Sequence, residues 1–128
     1  EQALYENPDQ DLNALWWYLV EKYQMIKQPP NRDKPDWAAK IHFTIVPVYY
    51  HNYMLGELLA SQLHHHIVHT VLNKESDKNV SYINKTEVGD FLQDNIFEVG
   101  AKYKWNEMIY RATGDYLTAK YFVQQFVM

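Results

Sequence analysis

Lys40, His42, Tyr50 and Tyr53 have the types and spacing in this sequence that suit chemistry. They lie in KIHFTIVPVYYHNY, where a β-branched run passes through a proline into a long helical pattern. Lys40 and His42 alternate, so on an extended segment they face one side together. Tyr50 and Tyr53 are three apart, so at the start of a helix both phenols point the same way. Cationic, imidazole and phenolic donors gathered in this way are what a site needs to hold carboxylates and oxyanions. Each pair alone is a weak signal, and the tyrosines alone also read as core aromatics. The combination of the two pairs makes them the candidate site.

A second stretch, His64-His65-His66-Ile67-Val68-His69, invites a metal reading because His65 and His69 stand four apart on a helix face. The zincin motif His-Glu-x-x-His needs a glutamate directly after its first histidine as general base. Here that position is His66, and no other cluster supplies three ligands with a carboxylate, so the sequence predicts no metal held by this chain alone. The competing reading is a solvated or interface helix face. Cysteine is absent, which removes a disulfide framework, a thiolate metal site and a cysteine nucleophile. The carboxylates are scattered without an acid/base pair, and no glycine-rich loop could cradle phosphate. The sequons Asn79-Val80-Ser81 and Asn84-Lys85-Thr86 are short enough to occur by chance.

The elements that must position these residues read as all-α, built around one long helix over about residues 48–72, with one short extended segment over about residues 41–47. Residues 1–10 carry the turn signal Asn7-Pro8-Asp9 and read as a lead-in loop. From Asp11, apolar Leu12, Leu15, Trp16, Leu19, Tyr23 and Ile26 recur at helical intervals up to Pro29-Pro30. Residues 28–36 hold three prolines and form an exposed connector, followed by a Trp37-Ala38-Ala39 turn. The run Ile41 to Val48 is β-branched and aromatic and reads as extended, yet a lone strand has no partner in this chain. The long helix, at about 1.5 Å per residue, would reach about 37 Å. Polar residues 73–84 loop out. Thr86 or a residue beside it caps a helix that ends near Gly100, Trp105 to Ala112 makes another with Gly114 as its stop, and Asp115 caps a last helix over Tyr116 to Val127.

A chain of 128 residues with 47% hydrophobic and 22% charged content has room for one modestly cored helical domain, residues 1–128. Its net charge of −4 excludes a basic nucleic-acid-binding stripe. No apolar run reaches the roughly 18 to 20 residues of a membrane span. Glu1 opens the chain without an initiator methionine, and Met128 closes it directly after the apolar pattern AKYFVQQFV. Together these predict a segment of a longer protein, whose bared inner face would leave aromatic patches and self-associate.

One set of residues resembles a known family. Trp16-Trp17-Tyr18-Leu19-x-x-Lys22-Tyr23-Gln24, Pro29-Pro30, Ala39-Lys40-x-His42, Tyr50-x-x-Tyr53 and Gln62-x-His64 resemble, in order and spacing, the C-terminal part of angiotensin-converting enzyme and its bacterial relatives. Those proteins are helical zinc peptidyl dipeptidases. The resemblance covers roughly Leu12 to Leu72, and Pro47-Val48-Tyr49-Tyr50-His51-Asn52-Tyr53 looks more bacterial than animal. It implies that Lys40 and Tyr50 bind the C-terminal carboxylate of a peptide substrate. It implies that His42 and Tyr53 are catalytic, donating hydrogen bonds to the substrate carbonyl and to the tetrahedral oxyanion formed when a zinc-bound water attacks. It also implies a zinc cofactor in the full-length enzyme with ligands outside this chain, an inert isolated chain, and a periplasmic or secreted location, with a cytoplasmic one as the alternative. The alternative is a non-catalytic helical protein-interaction domain in which the same side chains are core and interface.

Overall fold

A computed structural model describes residues 1–127 of the chain. Its regular elements are helices, with no strand among the described residues, so the fold is all-α. The chain divides into two compact units, Glu1–His51 and Asn52–Met128. No helix among the described residues is long and apolar enough to cross a membrane.

The first unit contains α1 (Gln2–Glu6), α2 (Leu12–Gln24), a 3-10 turn (Asp36–Ala39) and α3 (Ile41–Thr44). The lead-in that the sequence reads as a loop is therefore partly helical. α2 starts where the sequence places it: the Asp11 side chain accepts the Ala14 N–H at 2.9 Å, satisfying one of the helix's unpaired first donors. It ends at Met25, which takes the left-handed conformation with φ 58°. Of its apolar residues only Val20 is buried, while Tyr23 and the following Met25 are 70% and 87% exposed. The 3-10 turn is tied to α2 through Asp36. Its carboxylate accepts the Trp17 indole N–H at 3.1 Å and three bonds from the Arg32 guanidinium, and its backbone N–H donates to Asn13 Oδ1 at 3.2 Å. The Arg32 hydrogen bonds hold the Asp36 carboxyl below its ordinary pKa.

The predicted extended segment over residues 41–47 is instead a helical turn. Ile45 N and Val46 N both donate to the Ile41 carbonyl, at 2.8 and 3.1 Å. The physical reason is the missing partner: a lone strand would leave its backbone groups unpaired, whereas a turn pairs them internally. The turn also seats Phe43 edge-on against Trp16 and Tyr50, each with ring centroids 5.9 Å apart. Aromatic packing thus overrides the β preference of the isoleucines and threonine.

The second unit carries α4 (His51–His66), continued by a π-helical turn (Ile67–Val71), then α5 (Thr86–Leu92) with its own π turn (Gln93–Phe97), α6 (Trp105–Thr113) and α7 (Lys120–Phe126). α4 spans 16 residues and begins at His51, later than the predicted start at residue 48, because Val48 is left-handed with φ 55°. Ile67, Val68, Val88, Ile109 and Ala112 are buried and form the unit's apolar core. Each larger one contributes about 1.5–3 kcal/mol through burial. Gln62, 1% exposed, ties α4 to the α6–α7 junction. Its Nε2 donates to Thr113 Oγ1 at 2.8 Å and to the Asp115 carbonyl at 3.0 Å, with a longer contact of 3.4 Å to the Tyr116 carbonyl, and its Oε1 accepts the Thr118 N–H at 3.2 Å.

Gly114, at φ 84°, stops α6 as its sequence position suggests. α5 starts at Thr86 as expected, with the adjacent Lys85 as its cap residue, although no side chain bonds to its first N–H groups. The other predicted cap fails. Asp115 accepts the Tyr121 hydroxyl rather than capping a helix at Tyr116, because Asn106 and Gln62 already take the N–H groups of Leu117 and Thr118, and the helix starts only at Lys120.

Candidate substrate-binding site

Lys40 stands at the hinge between the 3-10 turn and α3, where the Asp36 network fixes the backbone that carries it. Its carbonyl accepts the Phe43 N–H at 2.9 Å and so closes the first turn of α3. His42, one residue inside that turn, lays its ring parallel to Tyr50, with centroids 4.7 Å apart and planes 11° from parallel. The Tyr49 ring is also near-parallel to His42, at 6.4 Å and 9°. A cavity of about 510 Å³ opens in this unit, walled by Trp16, Trp17, Val20, Trp37 and Phe43, with Lys40 and Tyr50 on its lining. Lys40 and Tyr50 thus share a largely apolar concavity with Tyr23, Gln24 and Glu1 as its other polar lining residues.

The backbone that brings the tyrosines round is strained. Val48 occupies the left-handed region, which β-branched residues avoid, and its N–H donates to the Glu1 carboxylate. Glu1 is also on the cavity lining. Tyr53 stands in the second unit on the first turn of α4 and is 56% exposed. Lys40, His42 and Tyr50 are therefore grouped within one unit. Tyr49, which joins the stack on His42, was not singled out by spacing, although the run of three tyrosines in five residues was its visible signal.

The sequence model of the family described as angiotensin-converting enzyme matches residues 5–127. This chain belongs to the angiotensin-converting enzyme family. Neither a curated protein nor a solved structure matches it. Angiotensin-converting enzyme family members are zinc-dependent peptidases as a group. The residues grouped here do not fit such an ion: a single imidazole and the Glu1 carboxylate fall short of a three-ligand set, ammonium and phenol groups do not complete it, and the sequence has no His-Glu-x-x-His. The donor set matches instead an anionic ligand. Elsewhere, in the second unit, His65, His69 and Asp77 bring metal-ligating atoms within 4.8 Å of one another. The sequence reading misses this third member because Asp77 is eight residues beyond His69, in a loop with no periodic signal.

Proposed function

We propose that this chain is the C-terminal, substrate-gripping part of a zinc-dependent peptidyl dipeptidase or carboxypeptidase of bacterial type. Lys40 and Tyr50 hold the C-terminal carboxylate of the peptide, and the aromatic wall of the cavity receives the adjoining side chain. His42 and Tyr53 donate hydrogen bonds to the scissile carbonyl and to the oxyanion that develops from it. Donors placed where charge develops stabilise the transition state more than the ground state, and losing one costs about 10² to 10³ in rate. The reading rests on one observation above the others: Lys40 and Tyr50 line the same apolar-walled cavity, with the His42 ring stacked 4.7 Å from Tyr50. By itself the chain should be inert in hydrolysis, because its sequence holds no His-Glu-x-x-His to bind zinc and activate a water.

Binding of a short peptide to the 128-residue chain, against the same peptide as its C-terminal amide, tests this, with Trp16, Trp17 and Trp37 as fluorescent reporters on the cavity wall. A charge-assisted hydrogen bond contributes about 1.5–3 kcal/mol, so the acid should bind about ten- to a hundredfold tighter than the amide. Lys40→Ala should erase the difference. Equal binding of acid and amide would overturn the assignment of Lys40, and hydrolysis of either peptide by the chain alone would overturn the claim that it is inert.

A further inference from the structure

The histidine run on α4 has a partner that the function above does not use. His65 and His69 stand four apart across the junction where α4 turns from α to π geometry, and their rings lie 4.2 Å apart. Asp77, from the loop that follows, reaches both: its Oδ2 lies 3.4 Å from His65 Nδ1 and its Oδ1 lies 2.6 Å from His69 Nε2. We propose that His65, His69 and Asp77 form a binding site for a divalent transition-metal ion of the zinc class.

Three observations support this. Two imidazoles and a carboxylate are the donor set such an ion takes, with bonds of about 2.0–2.2 Å, and tetrahedral ligands at that distance stand about 3.3–3.4 Å from one another. The 3.4 Å separation of His65 Nδ1 and Asp77 Oδ2 already matches that edge. Second, Asp77 Oδ1 is buried without a hydrogen-bond partner even though His69 Nε2 is 2.6 Å away. An N–H aimed at that oxygen would satisfy both atoms, and it is not so aimed. A shared cation would draw these two atoms apart from 2.6 Å to that edge, use both without that alignment, and relieve an oxygen that is otherwise costly to bury. Third, the loop is already held against this face, because the neighbouring His64 Nδ1 meets the Tyr82 hydroxyl. The ligands therefore need little ordering on binding. All three side chains remain about a third exposed, at 32%, 31% and 29%, so an ion has a path in and solvent can complete its coordination. Bound, the ion would clip the loop carrying Asp77 to the end of α4.

Isothermal titration of zinc chloride into the 128-residue chain, with histidine-detected NMR, is the experiment. We expect one ion per chain, a raised melting temperature, and shifts of the His65 and His69 ring nitrogens but not those of His64 or His66. Even an outer-shell partner is commonly worth about 10- to 100-fold in metal affinity, so His65→Ala, His69→Ala and Asp77→Asn should each lose at least that much, while His64→Ala loses little. Circular dichroism of Asp77→Asn, a near-isosteric change, separates loss of ligand from loss of fold, and the NMR shifts of the unaltered chain need no variant. Undiminished affinity in Asp77→Asn, or shifts spread over all of the clustered histidines, would mean adventitious binding to a histidine-rich helix and would overturn the proposal.

Discussion

Gln62→Leu should cost the second unit more stability than most substitutions of an apolar core residue by its smaller neighbour. The amide is 1% exposed and serves the α6–α7 junction from both ends, donating to carbonyls and accepting the Thr118 N–H. Leucine fills similar space with no polar atom. The Asp115 carbonyl keeps the Thr113 hydroxyl as a second donor at 3.2 Å, so the groups left without their partner are the Thr118 N–H and the Tyr116 carbonyl. Each unsatisfied buried group costs about 1–3 kcal/mol, and both lie only partly buried, so the expected loss is about 2–4 kcal/mol. For a unit of this size each kcal/mol lowers the melting temperature by about 4–8 °C, giving a fall of about 8–16 °C at the lower figure. Urea unfolding followed by circular dichroism measures it, with hydrogen exchange at Leu117 to Lys120 reporting whether the junction opens first. A loss below about 1 kcal/mol would refute the view that this side chain, rather than the packing of Ile109 and Val68, holds the C-terminal helix in place.

His66 makes the same unit sensitive to acid. Burial against Phe91, with a further contribution from the nearby His65, lowers its pKa below 6.5, against the opposing effect of a hydrogen bond it donates to the Thr113 backbone. Above pH 6.5 the folded and unfolded states are both neutral at this site; below it the unfolded chain takes up a proton that the folded chain resists, so stability should fall until the folded-state pKa is reached and then level off. Denaturant midpoints measured across that window in the presence of a chelator check this, and a rise in stability on acidification would refute it. The exposed apolar surface around α2, with Tyr23 at 70%, Met25 at 87% and Ile26 at 53%, should drive concentration-dependent association of the isolated chain. Light scattering that shows a monomer at every concentration would disprove that expectation.

The parts of this fold that are legible in the sequence are those set by one residue acting locally. Asp11 caps α2, the prolines of residues 28–36 keep the connector irregular, and Gly114 takes the positive φ that ends α6. What is not legible depends on distant partners. Ile41 to Thr44 has the composition of a strand and becomes a helical turn because Trp16 and Tyr50 offer Phe43 a place to pack and no strand offers a ladder. Asp115 has the right type to cap a helix but is drawn to Tyr121 once Gln62 and Asn106 occupy the backbone donors beside it. The site divides the same way. The type and order of Lys40, His42 and Tyr50 mark them as candidates, yet their grouping arises through a turn rather than through alternation on a strand. Asp77 carries no local signal and is visible only once the loop is folded back onto α4.

Val48 gives the tyrosine segment a further property. A β-branched residue at φ 55° is less stable than it would be in almost any other conformation, by about 1–2 kcal/mol. Glycine would relax that strain at once, so selection for robustness alone would favour glycine at position 48. It would also free the backbone that holds Tyr49 and Tyr50 stacked on His42, leaving a less defined pair of rings. Position 48 is thus a place where ease of the backbone and definition of the ring stack pull against each other.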